Sequence, residues 1–101
     1  MARSKKAWEI EGFDSAQVIF SAQVPQGALS EKAAIELLQR LAARHLTPSE
    51  IVGASLRRNE RGYLSLLEPR ISADVERYVV SVGENPHYTA RVQHGKNKSR
   101  T

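Results

Sequence analysis

The chain contains no cysteine. That absence removes disulfides, thiolate zinc sites and cysteine nucleophiles together, so stability has to come from packing. It also has no apolar run approaching the ~20 residues a bilayer span needs. Its opening MARSKK runs into the polar, acidic WEIEGFD and not into an apolar leader segment. The expectation is a soluble cytoplasmic protein with no membrane partner. The six glycines are scattered, which leaves no phosphate-cradling loop. No serine sits in a nucleophile-elbow sequence; Ser15, Ser21, Ser55 and Ser81 all read as turn or strand residues. Without a motif that carries a mechanism, neither an enzyme nor a cofactor is expected.

Acidic residues are missing from both ends. The formal charge is +4 over 101 residues. Arg3, Lys5, Lys6, Lys96, Lys98 and Arg100 supply six of the fifteen basic residues, and the end segments hold none of the eleven acidic ones. The body therefore has nine basic against eleven acidic residues, a net of −2. Residues 1–6 and 94–101 read as disordered basic tails flanking one domain, 7–93.

The strongest pattern present is Leu29–Arg44. Ser30 is a good N-cap, Glu31 lies in the first turn, Arg44 lies in the last, and Ala34, Leu37, Leu38, Leu41 and Ala42 recur at spacings of three and four. The pattern predicts an amphipathic helix. Burial of Ile35, Leu37, Leu38 and Leu41 would contribute about 6–12 kcal/mol before entropy is subtracted. Thr47-Pro48-Ser49-Glu50 is a capping box with proline at N1, and it predicts a second, short helix from Pro48 to near Ser55.

Strand signals surround these helices. Trp8 and Ile10 alternate with Glu9 and Glu11 ahead of a turn cluster at Gly12-Phe13-Asp14-Ser15. Val18, Phe20, Ala22 and Val24 alternate up to Pro25, and the economical reading is a hairpin. Asn59–Gly62 reads as a turn, Tyr63–Leu67 as a strand closed by Pro69, and Arg70–Val75 as a connection. Arg77–Val82 and His87–Gln93 form a second hairpin about Gly83–Pro86. A symmetric turn would set Val82 against His87, Val80 against Thr89 and Tyr78 against Arg91, with Val79, Tyr88, Ala90 and Val92 facing the helix. The order β-β-α-α-β-β-β is segregated and predicts an α+β fold: an antiparallel sheet of four to five strands with both helices on one face.

The three histidines lack ligand spacing. His45 reads as a helix-end residue bonding a free carbonyl, His87 follows a turn, and His94 opens the tail. Glu9, Glu11 and Asp14 form an acidic cluster whose simplest role is to discourage edge pairing. Arg57, Arg58 and Arg61 are the one dense basic cluster of the body. They suggest phosphate contacts reinforced by Lys96, Lys98 and Arg100, with Tyr78 and Arg91 stacking on nucleobases. The first functional expectation is a small non-enzymatic nucleic-acid-binding or nucleoprotein accessory domain with DNA or RNA as partner. The alternative is a protein-interaction module, including a self-associating one, using a free sheet face or edge with Ile19, Tyr78 and Val80 as apolar contacts.

Overall fold

The computed structural model describes residues 6–73 and 78–94. The basic residues of 1–5 and 95–101, Lys96, Lys98 and Arg100 among them, lie outside it, as does 74–77. Lys6 and His94 belong to the body, since they pair with each other at the ends of two strands. The chain forms an α+β fold in the order β1 (Lys6–Asp14), β2 (Gln17–Pro25), α1 (Glu31–Ala43), α2 (Pro48–Ser55), β3 (Arg70–Ala73), β4 (Tyr78–Gly83) and β5 (His87–His94). One antiparallel five-stranded sheet results, ordered β2-β1-β5-β4-β3.

α1 lies across β4 and β5. Ser30 caps it through its side chain on the Ala33 N–H, and Arg44 takes the C-cap, so Leu29 precedes the helix. Ala34, Leu38 and Ala42 form the buried stripe. Ile35, Leu37 and Leu41 are only half-buried, which makes the helix's contribution smaller than four fully buried side chains would give. The stripe meets Trp8 and Ile10 from β1, Val80 and Val82 from β4, and Tyr88 and Ala90 from β5. α2 has the expected capping box, with Thr47 and Glu50 satisfying each other's backbone N–H groups at 3.2 and 2.8 Å.

Several local readings are corrected by contacts distant in sequence. Gly12 and Phe13 do not turn; they continue β1, and the turn is Ser15-Ala16. Ser15 takes a φ of 57°, uncommon for a residue with a Cβ, and its N–H is held by Asn85 Oδ1 at 3.1 Å. Gly12 serves a different purpose: a Cβ there would collide with Cε2 of the buried Tyr88 ring. The row Phe20–Gly12–Tyr88 crosses three strands, with the glycine leaving room for two rings whose centroids are 6.4 Å apart.

Tyr63–Leu67 is not a strand. Its backbone groups are used elsewhere: Leu64 N–H donates to the Gly53 carbonyl at 3.1 Å, and the Leu67 carbonyl accepts from Gln39 Nε2 at 2.8 Å. A Cβ on Gly53 would lie 2.7 Å from Leu64 Cδ1, which explains a glycine inside α2. The strand instead falls on Arg70–Ala73, past Pro69, where it pairs with β4.

The second hairpin is offset by one residue from the symmetric expectation. Gly83 pairs with His87, Val82 with Tyr88, Val80 with Ala90 and Val79 with Arg91. Three residues close the turn, not four, and side chains alternate along a strand, so a single-residue shift exchanges faces. Val80 and Val82 therefore enter the core with Tyr88 and Ala90, while Val79 joins Arg91 on the opposite face.

Candidate functional site

The two edges of the sheet are built differently. Among the described residues β3 has four, starting with Arg70, which bonds the Gly83 carbonyl and lies 3.8 Å from Glu84. Short length and charge are two of the ways proteins protect a free edge. β2 has nine residues, QVIFSAQVP, and no charged side chain. Its pairing shifts at Gly12/Phe13, where Gly12 faces Phe20 but Phe13 faces Val18, leaving Ile19 as the bulged residue. The bulge puts Val18 on the same face as Phe13, and Val18 and Ile19 are 51% and 41% exposed. Pro25 ends the strand. Between them Phe20–Val24 is a regular stretch with no strand on its far side among the described residues.

The core-side residues of that stretch are incompletely covered. α1 lies over β4 and β5, and Phe20, Ala22 and Val24 are half-buried at the margin of the core. Ser21 and Gln23, on the other face, are exposed. They stand opposite Glu11 and Glu9 of β1. Because β1 is an interior strand, Glu9 and Glu11 do not guard an edge as expected. They flank Arg91, whose Nη2 lies 3.5 Å from Glu9 and 3.7 Å from Glu11. Glu9 Oε1 is buried without a hydrogen bond, so the guanidinium is its compensating charge.

This placement separates Tyr78 from Arg91. Tyr78 sits on the core side, edge-on to Trp8 with ring centroids 6.2 Å apart, while Arg91 lies on the opposite face between two carboxylates. The expected cross-strand pair and its joint stacking on bases are thus corrected. Burial and, secondarily, the charge of Glu31 hold the Tyr78 hydroxyl above its ordinary value. Val80 is fully buried, so of the three apolar contacts expected of an interaction surface, Ile19 alone is exposed.

Arg57, Arg58 and Arg61 occupy the turn after α2. Arg58 Nε lies 3.0 Å from Glu68 Oε2, the same carboxylate oxygen that accepts from the Tyr63 hydroxyl. That hydrogen bond raises the Tyr63 pKa, helped by burial and the carboxylate charge and opposed by Arg58. Arg57 and Arg61 are exposed and have no ion pair among the described residues. The cluster is therefore two free cations and one engaged.

His45 does not cap a carbonyl; its Nε2 lies 2.7 Å from the Tyr88 hydroxyl. His87 stacks on Phe13 at 5.1 Å. Among the described residues no three His, Asp or Glu side chains gather in a metal-binding cluster. A cavity of about 370 Å³ opens between the end of α1 and the β4–β5 turn, with Ala42, His45, Ser65, Arg70 and Glu84 in its wall. Arg70 already serves Gly83 and Glu84 there.

Compared with protein-family models, curated proteins and solved structures, the chain matches none.

Proposed function

We propose that this protein is a non-enzymatic interaction module that accepts an extended strand from a protein partner along the free edge of β2. One observation carries the reading: a nine-residue edge strand without charge, in a sheet whose other edge is short and carries an arginine. Strand addition draws affinity from main-chain hydrogen bonds and specificity from alternate side chains. Here Phe20, Ala22 and Val24 supply an apolar row and Ser21 and Gln23 a polar one. The exposed Ile19 extends the same edge.

The test is selection from a displayed library of random nonapeptides, followed by amide NMR of the full chain. Selected peptides are expected to shift the amides of Phe20–Val24 and leave those of Arg57–Gly62 unmoved. Enrichment of no peptide by a chain that is monomeric at the concentration used, or shifts confined to other elements, would overturn the reading.

A second reading rests on Arg57 and Arg61, exposed and without an ion pair among the described residues, which suit phosphate contacts to DNA or RNA. In that case log affinity for a labelled duplex falls with log salt, and Arg57→Ala with Arg61→Ala makes the slope shallower by about two units. Absence of binding at low salt, or a slope the double variant leaves unchanged, removes it.

A further inference from the structure

Resting on the strand-addition reading, we infer that the strand β2 accepts is β2 of a second copy of this chain, giving a closed two-fold dimer with a continuous ten-stranded sheet. An antiparallel pair of identical strands within one sheet has its two-fold axis perpendicular to the sheet, so one residue must face its own counterpart. The regular stretch between the bulge at Ile19 and Pro25 is Phe20–Val24, and its midpoint is Ala22. Centring the axis there sets Ala22 against Ala22 of the second copy, Phe20 against Val24 and Ser21 against Gln23.

Each of these pairs is chemically matched. Phe20 against Val24, made twice, is an aromatic–β-branched pair of the kind that stabilises sheets, and Ser21 against Gln23 is polar on polar. No charged side chain lies on β2, so self-pairing places no like charges directly opposite each other. A strongly charged strand would find no complement on this one. The row Phe20, Ala22 and Val24, half-buried in the single chain, becomes the floor of a shared groove between the two α1 helices, which stand on the same face of the joined sheet.

The assembly also stops at two. Its outer edges are the two copies of β3, each four residues long among the described residues and headed by Arg70. Edges of that kind do not propagate a sheet, and a self-complementary contact closes on itself.

Sedimentation of the full chain from low to high micromolar concentration is the direct test, with a reversible rise toward twice the monomer mass expected. Ser21→Lys with Gln23→Lys places lysines opposite each other twice across the axis and should weaken the dimer about tenfold or more. Within one chain the same lysines stand opposite Glu11 and Glu9, so the fold is retained, as circular dichroism would verify.

Register is read separately by cysteine, which the native chain lacks. Directly opposite Cα atoms in an antiparallel pair are about 4.5–5.5 Å apart, within disulfide reach of about 4.4–6.8 Å. Ala22→Cys should therefore cross-link rapidly with diamide, two thiols yielding one disulfide as diamide takes up the two hydrogens. Ser21→Cys, diagonal to its counterpart at about 7–8 Å, should not. The inference is overturned if the native chain stays monomeric throughout, if the double lysine variant dimerises undiminished, or if both cysteine variants cross-link equally. A monomeric chain whose β2 amides still respond to selected peptides would overturn the second copy as partner and leave strand addition standing.

Discussion

Leu38→Ala is expected to lower the unfolding free energy by about 2–5 kcal/mol, measured by urea denaturation. Leu38 is fully buried in the middle of the α1 stripe, with Ala34 and Ala42 one turn to either side. The two small residues let the helix backbone approach the sheet, so Leu38 is the large side chain that α1 adds to the core it shares with β4 and β5. A close-packed site of this kind cannot collapse fully when the side chain is shortened, and the remaining cavity adds to the lost transfer free energy. The net stability of a small domain is about 5–15 kcal/mol, so the variant stands near the limit of folding. Leu37→Ala, on a half-buried neighbour, should cost distinctly less. Equal losses at the two positions would show that the buried stripe is misassigned.

Trp8→Ala should have an effect as large or larger, about 3–5 kcal/mol. The indole is 2% exposed, and its Nε1–H donates to the Leu29 carbonyl at 2.8 Å. That single bond ties β1 to the residue just ahead of the Ser30 cap, where the chain leaves β2 and enters α1. Trp8→Phe separates the two contributions. It retains most of the apolar contact but leaves the Leu29 carbonyl without its donor, for an expected loss of about 1–3 kcal/mol. Should Trp8→Phe be as stable as the native chain, the hydrogen bond contributes nothing and the role of Trp8 is packing alone.

Elements governed by neighbours in the chain were legible beforehand. The Ser30 cap, the Thr47–Glu50 capping box, the end of α2 at Ser55 and the glycine turn at Gly62 all rest on interactions within four residues, and the structure bears them out. The α+β class and the order of the elements followed from the same signals. Two of the places where the reading fails share one cause, a partner distant in the chain, and the third is a local miscount. Gly12 looked like a turn residue because the ring it accommodates belongs to Tyr88. Tyr63–Leu67, set between a glycine turn and Pro69, reads as a strand, yet its Leu64 N–H and Leu67 carbonyl are claimed by Gly53 and Gln39. Tyr78 and Arg91 were set on one face by a turn counted one residue too long.

The candidate site divides in the same way. That β2 is a strand, that it is uncharged and that Pro25 ends it are properties of nine consecutive residues, and the alternation of Phe20, Ala22 and Val24 is enough to establish them. That β2 stands at an edge is a property of the sheet order, which brings β5 and not β3 to the other side of β1. Only the tertiary structure could decide this. Strand neighbours are chosen by contacts between residues some eighty positions apart, such as Ile10 with Ala90, whose free energy depends on the whole core being assembled, whereas a helix cap is satisfied within its own turn.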